Sequence, residues 1–372
     1  MKRVWLLVIL GLVFSSFSLA WAADKVRIGV CLPMTGPVAA YGQMEWAGIQ
    51  VAKEMFPTVL GKEVELVLVD SKGDKVEGAN AVERLIKLEK VCAIIGEAIS
   101  SVTMSGGAIA EQYGVPMISP TATNPLVTQG KKYLFRVCFI DPFQGQIAAK
   151  YAYETLKARK AALVVDVQQD YCVGLANFFE ENFKKLGGEI VAKVMYRTGD
   201  QDFTAQVTAV KAKEPDIIYI PGYYSEIALF TKQARELGVK SIIFSADGSY
   251  APELIQIGGK AVEGIYFTNF YDQKAVATDI GKKFVEAYRK KFNKDTDSFA
   301  ALAAEAYFVL VHAIEKAGEA NPAKIRDALE NIKSFTGLMG EFGFDENHNA
   351  IRPVVIQTVK DGQFAYLDIV KP

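Results

Sequence analysis

The sequence predicts an α/β protein built as two doubly wound parallel-sheet lobes. Three observations carry this. Short runs rich in Val, Ile and Leu alternate with helical runs, the mark of βαβ units. The alternation proceeds to Ser119, breaks at the polar, turn-rich stretch Thr121 to Lys132 (TATNPLVTQGKK), and then restarts. The 372-residue chain is also long for a single core, since cores stop growing near roughly 250–300 residues.

The chain opens with Met1, Lys2 and Arg3, then the apolar run Val4 to Phe14, then Ser15 to Ala22 with Ala20 and Ala22 two apart. This is a secretory signal peptide over residues 1–22, cleaved after Ala22. A retained membrane anchor is the competing reading, but the run is shorter than the roughly 20 residues a spanning helix needs. Cys31 comes too late for a lipid anchor.

The first alternation reads strand Val26–Cys31, helix Gln43–Phe56, strand Val64–Asp70, helix Val76–Glu89, strand Cys92–Gly96, helix Ser101–Tyr113 and strand Val115–Ser119. Apolar residues on both faces of these strands predict helices covering both sides. Tyr133 to Phe139 is extended. The second alternation reads helix Gln144–Leu156, strand Ala161–Asp166, helix Val173–Leu186, strand Glu189–Tyr196, helix Phe203–Lys211, strand Asp216–Pro221, helix Ser225–Leu237 and strand Ser241–Ser245. After strand Gly264–Thr268 come three helices in succession, Val276–Phe292, Phe299–Ala317 and Pro322–Ile332, the last opened by Asn321 as cap and Pro322 as first residue. Helices without strands of their own must pack on a sheet already made, so the chain returns to the first lobe. It ends in a hairpin, Val354–Val359 and Phe364–Val370 about Asp361-Gly362, which needs a further crossing.

Composition narrows function. Half the residues are hydrophobic, 23% are charged, and the net charge is −1, so nothing points to nucleic acid or an anionic membrane surface. The four cysteines, Cys31, Cys92, Cys138 and Cys172, form no zinc spacing. Cys31 and Cys92 fall at opposite ends of neighbouring strands, too far apart to bond. Cys138 with Cys172 is a pairing that remains open, beside the simpler reading of four small buried apolar residues. The two histidines, His312 and His348, form neither a base pair nor a metal cluster. GxGxxG, GxxxxGK[ST] and GxSxG motifs are absent. No catalytic residue, metal or cofactor is predicted.

Ligands of open parallel sheets bind beyond the carboxyl ends of the strands. On the first lobe, Ser100 follows the third strand, either as a helix cap or as part of an anion site at a helix N-terminus. Thr121 and Thr123 follow the fourth. On the second lobe the strand ends carry Asp166 with Tyr171, Tyr223 with Tyr224, and Asp247-Gly248. Asp247 reads as a turn residue or as a carboxylate placed opposite a hydroxyl cluster.

The residues Thr35-Gly36-Pro37 with Ala40-Tyr41-Gly42, Gly96 to Thr103, Ser119 to Thr123 with Pro125, Asp170-Tyr171, Gly222-Tyr223, Ala246-Asp247-Gly248, Phe344-Asp345 and Val359 to Gly362 are spaced as in a known family. The whole mature chain resembles the type I periplasmic binding proteins of branched-chain amino acid transport. The resemblance implies two lobes joined by three crossover segments, residues 23–140 plus 272–351 and residues 141–271 plus 352–372. It implies a monomer in the periplasm that binds one small amino acid between the lobes and passes it to the permease subunits of an ABC transporter in the inner membrane. Carried over residue by residue, Ser100 and Thr123 with backbone at Ser100 and Thr121 bind the ligand carboxylate, and Tyr223 and Asp247 bind the ammonium. Tyr41, Tyr171 and Phe299 shape the apolar pocket, with Ala98 and Ile99 beside the key serine and Trp46 as an addition. Three departures are visible: Asp247 where the leucine-type pattern has Glu, Ala98-Ile99 where it has Leu-Cys, and Ser71 with Ile99 where it has a disulfide. They bear on side-chain preference. The alternatives are the same fold with an aromatic acid, amide or urea as ligand, a ligand-sensing receptor module, and an exported α/β enzyme.

Overall fold

The computed structural model describes residues 25–371; the expected signal peptide lies outside the described residues. The first alternation forms β1 (Val26–Leu32), α1 (Ala39–Met55), β2 (Thr58–Val59), β3 (Lys62–Asp70), α2 (Lys75–Lys87), β4 (Ala93–Gly96), α3 (Ser100–Tyr113), β5 (Met117–Ser119) and β6 (Leu134–Arg136). The sheet order is β2-β3-β1-β4-β5-β6. All strands run parallel except the short edge strand β2. Val26, Ile28, Val30, Ile94 and Ile95 are buried, as a sheet covered on both faces requires.

The second alternation forms α4 (Asp141–Lys150), continued as a wider turn over Tyr151–Thr155, then β7 (Lys160–Asp166), α5 (Asp170–Lys185), β8 (Glu189–Tyr196), α6 (Thr204–Lys211), β9 (Ile217–Tyr219), α7 (Tyr224–Glu236), β10 (Ile242–Ser245), α8 (Pro252–Gly258) and β11 (Tyr266–Asn269). The remainder is α9 (Asp279–Phe292), α10 (Ser298–Ala317), α11 (Pro322–Glu330), the small hairpin β12 (Phe335–Thr336) and β13 (Glu341–Phe342), and the hairpin β14 (Val354–Lys360) and β15 (Gln363–Val370). The second sheet runs β15-β14-β11-β10-β9-β7-β8, parallel except for its terminal hairpin, which joins the β11 edge antiparallel.

The three late helices return to the first lobe. Helix α10 packs on α1 and on β4 and β5. It is long and apolar enough to cross a membrane by composition, but it is packed inside the fold. Gly48 permits the α1–α10 approach, since a Cβ there would stand 2.0 Å from the Ala300 carbonyl oxygen. Asn321 caps α11 by accepting from Lys324 N–H, with Pro322 at the first position.

The chain therefore passes between the sheets three times: from β6 to α4, from β11 to α9, and into β14. A buried ion pair ties two of these passages together. Arg352, just before β14, pairs with Glu305 of α10 and donates to the Val137 carbonyl on the first passage at 2.9 Å. Asn269, at the end of β11, donates to Gln357 of β14, which donates to Asp272 (2.6 and 2.7 Å).

One expectation is borne out and one is corrected. All four cysteines are buried and free, as the simpler reading had them, and Cys138 and Cys172 do not pair. Helix α1 begins at Ala39, four residues before the expected Gln43. The first turn of the helix presses on Pro33, and only glycine fits at position 42, since a Cβ there would lie 2.3 Å from the Pro33 carbonyl oxygen.

Candidate functional site

The carboxyl ends of the parallel strands in both sheets face a cavity of about 10 Å3, lined by Tyr41, Ala98, Ile99, Ser100, Thr121, Thr123 and Phe299 from one side and Tyr171, Tyr223, Asp247 and Gly248 from the other. That is about the room of one water, so the two walls stand nearly closed on each other.

The first-lobe wall is made by the start of α3 and the loop after β5. Ser100 is not the cap of α3 but its first residue; the cap position is Ile99, which offers no side-chain bond. The Ser100 hydroxyl instead accepts from Asn124 N–H at 3.2 Å, joining the two loops. The first N–H groups of a helix have no intrahelical partner, and Ser100, the first residue of α3, lines the cavity. Thr121 spends its hydroxyl on Glu45 at 2.6 Å. Thr123 is 1% exposed, and its hydroxyl lies beside the Asp141 carboxyl, whose charged form it favours.

Glu97 braces this wall from behind. Its carboxyl accepts from Ser71 Oγ at 2.6 Å and from Ile99 N–H, and its carbonyl accepts from Thr103 and Ser119 hydroxyls at 3.0 and 2.7 Å. Ser71 and Ile99, the two positions noted as departures, are thus joined through Glu97. Burial pushes the Glu97 carboxyl up to about 8 and raises Glu45 well above the carboxylate range.

The second-lobe wall centres on Asp247, which opens a 3-10 turn after β10. Its Oδ1 accepts from Gln144 Nε2 at 2.6 Å and from Tyr171 OH at 2.9 Å. Burial pushes the Asp247 carboxyl up to about 6, against the downward pull of these two donors. Gly248 is required by crowding, since a Cβ there would stand 2.1 Å from the Gly222 carbonyl oxygen. Asp141 is buried beside this group, and burial and the Asp247 charge both raise it.

Aromatic rings complete the walls. Tyr41 stacks on Phe299 at 4.5 Å and meets Tyr223 edge-on at 5.9 Å, and Tyr171 stacks on Tyr223 at 5.8 Å. Tyr171 therefore does more than bound an apolar pocket, because its hydroxyl holds Asp247. The lobes also touch directly around the cavity. Tyr41 OH donates to the Gly248 carbonyl and accepts from Tyr224 N–H. Tyr224 OH donates to the Pro37 carbonyl at 2.7 Å, Ser101 Oγ to Gln169 at 3.2 Å, and Asn124 Nδ2 to the Asp170 carbonyl at 2.9 Å.

The structure does not bring Trp46 to this cavity. Trp46 lies beside Lys25, Gln50 and Lys53 in a surface depression. Five residues along α1 from Tyr41 is a rotation of about 140°, which sends the two rings to different faces. The sequence reading missed Gln144, Asp141, Glu97 and Glu45. Glu97 carried a signal: an acid directly after the apolar run Ala93–Gly96 is costly to bury unless hydrogen bonds satisfy it.

The wall chemistry can match both ends of a small zwitterion. Hydroxyl and N–H donors stand on one side, a carboxylate stands on the other, and aromatic rings lie between. Comparison with known proteins agrees in kind. The family model described as "Periplasmic binding protein" matches residues 25–363. The leucine-, isoleucine-, valine-, threonine- and alanine-binding protein of Pseudomonas aeruginosa is 32% identical over 339 residues, 90% of this chain and 88% of that one. The crystal structure of the leucine-binding protein LivK of Thermotoga maritima is 50% identical with a TM-score of 0.91, over 93% of this chain and 99% of that one. The substrate-binding protein LivJ of Streptococcus pneumoniae, solved with isoleucine, is 35% identical with a TM-score of 0.86, over 94% and 100%. This chain belongs to the periplasmic binding protein family.

Proposed function

We propose that the protein is the extracytoplasmic substrate-binding component of an ABC transporter, that it binds a small aliphatic or branched-chain amino acid between its lobes, and that it delivers the ligand to permease subunits in the membrane. The observation that carries this reading is the opposition of Thr123 and the α3 N-terminus to Asp247 across the cavity between the strand ends. Ser100 and Thr123 hydroxyls with backbone N–H groups take the carboxylate. Asp247, with Tyr223 beside it, takes the ammonium. Tyr41, Phe299, Ala98 and Ile99 surround the side chain. Burying a zwitterion is unfavourable unless each charge is matched, and these walls offer a partner for both ends.

The lobes, residues 23–140 plus 272–351 and residues 141–271 plus 352–372, close about the three passages between the sheets. Each lobe holds half of the ligand's contacts, so ligand favours the closed arrangement by its differential affinity. The signal peptide places the protein in the periplasm, where it acts as a monomer.

The test is calorimetric titration of protein that has been unfolded and refolded to strip bound ligand. The panel holds free amino acids, aromatic carboxylates and short amides. One-to-one binding of an aliphatic amino acid, lost with its α-amino group, is the expected result. Binding of carboxylates without an ammonium would overturn the ligand class.

A further inference from the structure

We propose that Gln144 is the positioning residue for the ligand's cationic end: it holds Asp247 from behind by Oδ1 and leaves Oδ2 as the free acceptor. The proposal rests on the reading that Asp247 takes an ammonium. Gln144 does not line the cavity. It is fully buried in the first turn of α4, and its Nε2 donates to Asp247 Oδ1 at 2.6 Å and to Thr268 Oγ1 of β11 at 2.8 Å.

Both hydrogens of the amide are thus committed, which fixes its orientation. The reversed amide would set a carbonyl oxygen against a carboxylate, and neither group could donate. With Tyr171 OH also on Oδ1, two donors converge on one oxygen, and a carboxylate keeps acceptor capacity on the other. Gln144 Oε1 has no partner in the protein. Native folds seldom leave a buried acceptor unsatisfied, so the donor end dictates this placement.

The position of Gln144 couples the two walls. It lies one turn after Asp141, whose N–H donates to the Thr123 carbonyl at 3.0 Å. The first turn of α4 therefore touches the carboxylate side through Thr123 and the ammonium side through Asp247. The other titratable groups facing Asp247 are Asp141 on α4, Tyr171 and Cys172 on α5, Tyr219 on β9, Cys138 on the first passage and Tyr41 of the opposite lobe. Of these only Asp141 is a carboxyl, so its titration is the one that must be separated from that of Asp247.

The experiment titrates L-leucine and its des-amino analogue into refolded wild type, Gln144→Met, which keeps length and removes the donor, and Gln144→Asn, which keeps the amide and withdraws it. Each is measured across the acid range and again in an Asp247→Asn background, with melting temperature as a check on folding. The expected result is about a tenfold loss of L-leucine affinity at neutral pH. The acid midpoint of binding moves upward, because Asp247 has lost a donor to its charged form. Neither Gln144 change should lose anything further in the Asp247→Asn background. Equal losses in both backgrounds, or an unmoved midpoint, would overturn the proposal. Wild type that fails to prefer L-leucine over the des-amino analogue overturns the site reading itself. Wild type that discriminates while both Gln144 variants match it overturns only the role of Gln144.

Discussion

Replacing Asp247 by Asn keeps the shape of the side chain and removes its charge. The carboxylate is 5% exposed and already accepts from Gln144 and Tyr171, so water does not compensate the loss. A hydrogen bond to a charged group contributes about 1.5–3 kcal/mol, and a charge left buried without its partner raises the loss towards about 3–5 kcal/mol. At about 1.4 kcal/mol per factor of ten, L-leucine affinity should fall between about tenfold and a few thousandfold. Affinity for the des-amino analogue should not fall. The pH dependence has a definite sign. Burial holds the Asp247 proton on up to about pH 6, and an ammonium pairs only with the ionised form. Binding therefore releases a proton below that pH, and affinity declines as pH drops through it, approaching about tenfold per unit. The assay is isothermal titration of refolded wild type and Asp247→Asn at neutral pH, and of wild type from about pH 7.5 down to about pH 5. Near-normal affinity in the variant, or a flat wild-type profile, would refute Asp247 as the ammonium partner.

Thr123→Val removes a hydroxyl from the cavity wall; ligand affinity in calorimetric titration should fall by about tenfold. Tyr41→Phe keeps the stack on Phe299 but removes the bonds to Gly248 and Tyr224, so stopped-flow measurements should show faster ligand release. Arg352→Met leaves Glu305 buried and unpaired; urea unfolding should show a loss of about 3–5 kcal/mol.

Periodicity made the fold legible. The two alternations, the return of three helices and the Asp361-Gly362 hairpin all follow from local pattern, because burial on both faces leaves continuous apolar strands and amphipathic helices. Ser100, Thr121, Thr123, Tyr223 and Asp247 could be found because strand ends have a fixed place in such sheets. Gln144 could not, since a buried glutamine in a helix looks like a solvated one until the partner across the fold is known. Trp46 failed for the converse reason: closeness in sequence to Tyr41 said nothing about which face of α1 it occupies. The free cysteines depended on distances that spacing along the chain does not set.

The direct contacts between the lobes mean that ligand affinity is not set by the cavity alone. Tyr224 to Pro37, Ser101 to Gln169, Asn124 to Asp170 and the exposed Lys75–Asp170 ion pair favour the arrangement in which both walls face the ligand. The measured dissociation constant is the intrinsic one divided by the fraction of molecules in that arrangement. Substitutions at this rim therefore act as a dial on retention, weakening capture of every ligand by one common factor and leaving the preference among ligands unchanged.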